Sequence, residues 1–400
     1  MGAPRKTLGY GLTANVVILG VVSLLTDVSS EMILPILPFF LTEVLLANGL
    51  IVGFVEGLSE SVVAFMKVVS GRWSDLAGKR KRFVGSGYAL SAAMKLLFPF
   101  APGWPHFLAM RAGERVGKGV RDAPRDALLT ESAPADARGK AFGFHRSMDT
   151  TGAVLGPILT LLVLATLAAP LSLDAAYRLV FLLAAIPAAL SVAVVLLVRE
   201  PRGTPRPRRT LRVTFRGAPR GLLVFVGIAS LFSFAEFSYA FLLLRVEDAG
   251  ESTSVAILLY VLFNIVYAAH AFPAGILSDR IGRKPVILVG YVCFASMAAL
   301  LAIAPSLPTL ILGFAFYGLS LGMAEGTQRA LVADLAPADM KATLLGAYHT
   351  STGFVKLGSG LVAGFLWVAT VDHSGTFWFG AIAASCAAVG LAAWKPPTTS

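Results

Sequence analysis

The sequence predicts an all-α membrane protein: twelve transmembrane helices in two six-helix halves, with both termini on the cytoplasmic side. Three observations carry this expectation. Apolar runs recur along the whole chain and the mean hydropathy is +0.74; about twenty apolar residues span a hydrocarbon core roughly 30 Å thick. The runs are continuous rather than alternating, which argues against a β-barrel. The chain also repeats itself in the same direction. APADARGKAFGFHRS at 133–147 returns as APADMKATLLGAYHT at 336–350, and GRWSDLAGKRK at 71–81 returns as GILSDRIGRKP at 275–285. Third, Lys and Arg concentrate in alternate connections, which become the cytoplasmic ones.

Taken in order, hydropathy places spans near 14–42, 49–70, 83–101, 105–130, 141–168 and 175–198 in the first half. The second half has spans near 221–244, 254–274, 286–304, 308–333, 342–369 and 375–394. The domains are thus 1–198, a linker at 199–220 and 221–400. The first thirteen residues form a short polar tail with Arg5 and Lys6. The span after them is too long for a signal-peptide core and has no small-residue cleavage site, so it is retained. The 49–70 and 83–101 spans are joined by the basic stretch Arg72, Lys79, Arg80, Lys81 and Arg82; the 141–168 span begins beside Arg138 and Lys140. The linker REPRGTPRPRRTLRVTFRGAPR is Arg- and Pro-rich. It suits the lipid headgroup level, where each basic residue gains about 1 kcal/mol from anionic lipid. Arg280, Arg283, Lys284, Lys341 and Lys395 fall on the same side, against Arg178 and Arg245 on the other.

Composition excludes several classes. A net charge of +11 would suggest nucleic acid for a soluble chain, but here the excess belongs to loops facing the cytoplasm, and no nucleic-acid partner is expected. Cys293 and Cys386 stand in apolar runs without metal-ligand spacing and read as buried small hydrophobes. There is no G-x-x-x-x-G-K-[ST] sequence, so ATP is not the direct energy source. No nucleophile–base pairing, metal site or cofactor motif points to an enzyme.

The motif between the second and third spans is Gly71-Arg-Trp-Ser-Asp75-Leu-Ala-Gly78-Lys79-Arg80-Lys81-Arg82, read as a tight basic loop. Asp75 can cap a neighbouring helix or pair with an arginine. Gly275, Ser278, Asp279, Arg280, Gly282, Arg283 and Lys284 repeat it. This pattern resembles the G-x-x-x-D-x-x-G-R/K-R/K loop of the major facilitator superfamily, and the resemblance covers the whole chain. It implies two bundles that alternate access to a central cavity.

Two further stretches resemble the drug/proton antiporters of that superfamily. Arg115-Val-Gly-Lys118-Gly119-Val-Arg121 is similar to R-x-x-Q-G-x-G, with Lys118 in place of glutamine and Arg121 in place of the second glycine. The resemblance implies that Arg115 takes part in proton coupling. Gly152-Ala-Val-Leu-Gly156-Pro157 is similar to the opening of G-x-x-x-G-P-x-x-G-G, with Thr160 and Leu161 where the last glycines stand. Glycines four apart allow close helix approach and Pro157 bends the helix, so ordinary packing explains the motif as well as an exporter role does.

Charge is densest in the fourth span, where half of the residues of RAGERVGKGVRDAPRD at 111–126 are charged. At about 100° per residue, Arg111, Arg115, Lys118, Asp122 and Arg125 share one stripe. Pro124 is expected to break or kink that helix near its cytoplasmic end. Charges at this depth face a protein interior or a water-filled path. Acidic partners stand on other spans: Asp27 and Glu31 on the first, Glu56 and Glu60 (with Lys67) on the second, and His145, Arg146 and Asp149 on the fifth. These faces are expected to turn towards one another. The second half carries Glu236, Asn264, His270, Glu325, Arg329, His349 and Lys356, with Glu325 and Arg329 one turn apart. Its aromatics Phe232, Phe234, Phe237, Tyr239, Phe263 and Tyr267 read mainly as lipid-facing or packing residues, with one or two available to stack on a substrate.

The sequence therefore predicts a secondary active transporter in a prokaryotic inner membrane, monomeric, exchanging protons for small amphipathic molecules in the export direction. The alternative substrate is an anionic metabolite or metal chelate, suggested by the cations of the fourth span. Coupling or substrate residues are expected among Asp27, Glu31, Glu56, Glu60, Arg111, Arg115, Lys118, Asp149, Glu236, Glu325 and Arg329. A cytoplasmic gate is expected from Gly71, Asp75, Gly78, Lys79, Arg80, Arg121, Asp122, Arg125, Asp279 and Arg283. Gly152, Gly156 and Pro157 form the packing motif.

Overall fold

A computed structural model describes residues 12–134, 137–200, 215–303, 305–337 and 340–395. The central part of the linker lies outside these residues. The described chain is built from long helices. In the first half they are α1 (Ala14–Ile33), α2 (Gly49–Ala77), α3 (Arg80–Leu97), α4 (Trp104–Ser132), α5 (Arg138–Ala165) and α6 (Leu173–Val195). In the second they are α7 (Arg220–Ala235, resuming as Tyr239–Asp248), α8 (Thr253–Ile281), α9 (Arg283–Ile303), α10 (Leu307–Leu335), α11 (Lys341–Ala369) and α12 (Ser374–Ala393). The repeat extends to helix bounds: α2 and α8 are each 29 residues long, as are α4 and α10.

Eleven spans among the described residues are long and apolar enough to cross a membrane. The exception is α4, whose charges disqualify it by composition although its 29 residues are ample by length.

Local chemistry sets the ends of the helices. Asn48 accepts from the Ile51 N–H at the start of α2 (3.1 Å), and Ser252 accepts from Val255 at the start of α8. Pro35 and Pro38 interrupt regular hydrogen bonding after α1, and the chain continues through a short π-helical turn at Phe40–Val44. The Gly71–Ala77 part of the loop motif is helical and belongs to α2. The reversal is confined to Gly78 and Lys79, with Gly78 at φ +61°. Gly282 stands at φ +94° between α8 and α9. A side chain is disfavoured there, so this glycine spacing is dictated by the backbone.

Two expectations are changed. Of the break or kink expected at Pro124, the break does not occur, because α4 runs from Trp104 to Ser132. Proline is tolerated inside a membrane helix when neighbouring groups satisfy the freed carbonyl. Cys386 is exposed and only Cys293 is buried; on the alanine-rich α12 a small apolar thiol can face outward.

The described residues form two compact units. One holds the residues up to Phe40 and those from Val62 to Glu200; the other holds Leu41–Ser61 and the residues from Phe215 onward. Helix α2 thus begins in one unit and ends in the other. Lipid tails are as apolar as leucine, so helices associate by close packing rather than by apolar burial. In the first unit α3 pairs closely with α4 and α1 with α5. A Cβ on Gly87 would lie 2.6 Å from the Gly117 carbonyl oxygen, and one on Gly119 would lie 2.5 Å from Met66 Cβ. The glycines between the charges of α4 therefore seat α3 and α2. In the second unit the Phe232 ring stacks on Tyr291 at 3.8 Å, and Phe237 packs between Phe294 and Phe377. This matches the expected packing role of these two aromatics.

Candidate transport site

In the first unit the site begins with the close approach of α1 and α5. A Cβ on Gly152 would stand 2.8 Å from Asp27 Cβ, and one on Gly156 would stand 2.6 Å from Glu31 Cβ. The two motif glycines are thus the seats of the two α1 carboxylate residues. Pro157 is buried beside them. Asp149, one turn before Gly152, accepts a short hydrogen bond from the Ser23 hydroxyl, and its carboxylate lies 3.5 Å from His145 Nδ1.

The charges that act most strongly on Asp27 are Asp149, Lys118, Glu31 and Arg125. No hydrogen bond or ion pair holds Asp27 among the described residues. Lys118 is half-buried, on the same α4 stripe as Asp122 and Arg125, whose charged groups are 3.9 Å apart. Arg125 also holds Asp126 at 3.0 Å. Lys67 of α2 faces Asp122 as well.

The deeper end of α4 is organised by Glu114, a residue the sequence reading left out. Its carboxylate pairs with Arg111 at 3.1 Å and Arg115 at 3.4 Å, with all three groups buried. Lys95 of α3, also missed, is 1% exposed and donates to Ser29 and Ser30 at 3.0 and 2.8 Å. Arg121 donates to Ser91 Oγ (2.8 Å), and its guanidinium lies 4.4 Å from the Tyr88 ring centroid.

The expected inward-facing acids of α2 are placed differently. Glu56 and Glu60 belong to the second unit. Glu56 accepts from Ser238 Oγ at 3.4 Å, and Glu60 is among the charges acting on Lys356. Lys356 of α11 pairs with Glu236 at 3.3 Å. Glu236 stands where α7 is interrupted before Ser238 caps its second segment. A broken helix of this kind places a carboxylate beside unpaired backbone groups. Tyr267 donates to Glu325 at 2.8 Å, and Glu325 pairs with Arg329 on an exposed face of α10.

Four of the ten residues expected to form a gate, Asp75, Arg80, Asp279 and Arg283, belong to two equivalent triads. Arg80 reaches Asp75 at 2.9 Å and Glu131 at 3.0 Å. In the repeat, Arg283 reaches Asp279 at 2.5 Å and Asp334 at 3.1 Å. In each triad the arginine opens one helix and joins the last turn of the helix before it to the end of the helix after it. Glu131 and Asp334 were not identified from sequence. Gly71 packs on Ala123, while Lys79 is exposed. Glu200, at the start of the linker, caps α3 by accepting from the backbone N–H groups of Arg80 and Lys81, both at 2.9 Å.

This architecture has extensive relatives. The family model for the Major Facilitator Superfamily matches residues 19–262 and 223–400. An MFS-type transporter of Methanocaldococcus jannaschii is 38% identical over 379 residues, covering 93% of each chain. The quinolone resistance protein NorA of Staphylococcus aureus is 30% identical over 135 residues, covering 33% of this chain and 34% of NorA. Among solved structures, a D-xylose–proton symporter superposes with a TM-score of 0.77 at 18% identity, covering 96% of this chain and 98% of its own. Family model, full-length relative and helix architecture agree: the chain belongs to the major facilitator superfamily, as a multi-pass membrane transporter rather than an enzyme.

Proposed function

We propose that this transporter exports small amphipathic molecules in exchange for protons, by alternating access, as a monomer in a prokaryotic inner membrane with both termini in the cytoplasm. The observation that carries the coupling is the setting of Asp27. It is an ionisable group inside a membrane bundle, near Lys118 and Arg125 but held by no direct bond among the described residues. A carboxylate binds its proton more tightly when dry and distant from cations than when beside them. Movement of α1 against α4 therefore changes proton affinity. Gly152 and Gly156 make α1 and α5 one closely packed pair, so that movement carries Asp27 and Glu31 together. The export direction is supported by the exporter-like motif on α5 and by the partial likeness to NorA. The 75–80–131 and 279–283–334 triads act as the cytoplasmic gate in this reading, and the Glu236–Lys356 pair marks the second unit's contribution to the substrate path.

Most α4 arginines have acidic or hydroxyl partners within the first unit. This lowers the surplus positive charge on offer to an anionic substrate. The second reading, an anionic metabolite or metal chelate, is supported by Lys118 and Lys67, which are half-buried without a hydrogen bond to either ammonium among the described residues. Expression in a pump-deficient host separates the readings. Raised tolerance to several unrelated amphipathic compounds, lost in Asp27→Asn at equal protein level, is the expected result. Unchanged tolerance contradicts the export reading.

A further inference from the structure

We propose that the basic end of the first unit carries a binding site for an anionic phospholipid, in a notch between α3 and α6. The notch is a cavity of about 420 Å³ lined by Lys81, Arg82, Gly85 and Ser86 of α3 and by Val195 and Leu196 at the end of α6. Its wall is apolar and its mouth is cationic. The Lys81 ammonium is fixed at that mouth by donating to the Leu196 carbonyl at 2.8 Å, and Arg82 is exposed beside it. Glu200 is the neighbouring anion, and its two oxygens are already engaged by the N–H groups of Arg80 and Lys81. Arg80 itself is paired with Asp75 and Glu131, so Lys79, Lys81 and Arg82 keep the local balance positive.

The surface leading away from the notch fits the rest of a lipid. On α3 the exposed residues after Ser86 are Ala89, Ala93, Leu96 and Leu97; on α6 Leu190 and Ile186 are exposed. Apolar exposed faces of this kind suit an acyl chain, while the cations at the mouth suit a phosphate. A free phosphate would gain nothing from the apolar wall.

The internal repeat supplies a comparison within the molecule. Lys284, which like Lys81 is the second residue of its helix and follows an arginine, also donates to carbonyls at the end of the last helix of its half, those of Ala392 and Trp394. That clasp is therefore structural in both halves. Counted from the two helix starts, Arg82, Gly85 and Ser86, however, fall opposite Pro285, Leu288 and Val289. At these positions the second half offers no cation and, opposite Gly85 and Ser86, larger side chains, which assigns the site to Arg82 and Gly85 rather than to the lysine clasp.

The test is native mass spectrometry of the purified, delipidated full chain titrated with phosphatidylglycerol or phosphatidylcholine, with inorganic phosphate as competitor. The wild type is expected to bind a first phosphatidylglycerol at least about tenfold more tightly than phosphatidylcholine, a difference of about 1.4 kcal/mol. Arg82→Gln and Gly85→Leu should each reduce the preference to about twofold or less. A Cβ at Gly85 meets nothing within 4 Å, so the new side chain starts in open space, and an unchanged unfolding midpoint is the measurement that shows the fold is kept. No preference in the wild type, full preference in both folded variants, or displacement of the lipid by millimolar phosphate each overturns the proposal.

Discussion

Gly156→Ala tests whether the close seat of α1 on α5 matters for coupling. The added Cβ would lie 2.6 Å from Glu31 Cβ and 2.8 Å from both Glu31 C and Val28 O. Ordinary contact begins near 3.4 Å, so the two helices must part by about 0.8 Å at this point. The blocking atoms are backbone atoms and a Cβ, so no rotamer change relieves the clash. Overpacking of this kind costs roughly 1–3 kcal/mol. The shift also moves Glu31 and, one turn away, Asp27 relative to α4. Two measurements are needed: the unfolding midpoint in detergent, and ethidium export from cells or vesicles driven by a pH gradient. The variant is expected to unfold several degrees lower and to lose most coupled export even at temperatures where it is fully folded. Gly143→Ala on the same helix is the control, because its Cβ meets nothing within 4 Å; it should match the wild type in both. A Gly156→Ala protein with wild-type stability and export refutes the reasoning.

Other expected outcomes follow from the same contacts. Glu114→Gln removes the carboxylate shared by buried Arg111 and Arg115, and should cost roughly 3–5 kcal/mol of stability; an unfolding midpoint equal to wild type would show that other groups carry those arginines. Arg80→Gln should destabilise by about 2 kcal/mol and Arg283→Gln by less than about 1 kcal/mol, because the side chains are 9% and 24% exposed; equal losses in thermal unfolding would contradict this ranking. Gly53→Ala would put a Cβ 2.1 Å from the Gly360 carbonyl oxygen, and should lower the unfolding midpoint more than Gly156→Ala does. Gly57→Ala, with its nearest atoms at 3.0 Å, should fall between wild type and Gly53→Ala.

The sequence made legible whatever depends on one helix or on the repeat. Helix existence followed from hydropathy. The turns at Gly78 and Gly282 followed from a backbone that demands glycine; for Asp75 a helix cap and an arginine partner were both open, and the structure pairs it with Arg80, as it pairs Asp279 with Arg283. Contacts between distant segments were much less accessible. Helical periodicity aligned Arg111 and Arg115 on α4 but did not show that Glu114, off the stripe, reaches both. A lone lysine in an apolar run was the only signal for Lys95, whose partners Ser29 and Ser30 sit on another helix. The third members of the two triads, Glu131 and Asp334, lie far along the chain from their arginines.

The placement of Glu56 and Glu60 had a readable but unused signal. Gly49, Gly53, Gly57 and Ser61 recur every four residues on α2, the small-residue spacing of a close helix crossing. In the structure they lie against α11, where Ser61 donates to the Gly353 carbonyl at 2.9 Å. Charge periodicity alone assigned that stretch to the first half. Packing assigns it to the second unit.

The central claim is that a proton bound at Asp27 is exchanged for substrate. Its most direct test is proton flux in sealed proteoliposomes carrying an internal pH indicator, with an inward-acid gradient imposed and ethidium added outside. Wild-type protein should release protons from the lumen on ethidium addition, while Asp27→Asn, reconstituted to the same level and equally folded, should not. Ethidium-dependent proton release that survives in Asp27→Asn, or its absence from the wild type while ethidium still crosses the membrane, would contradict the account.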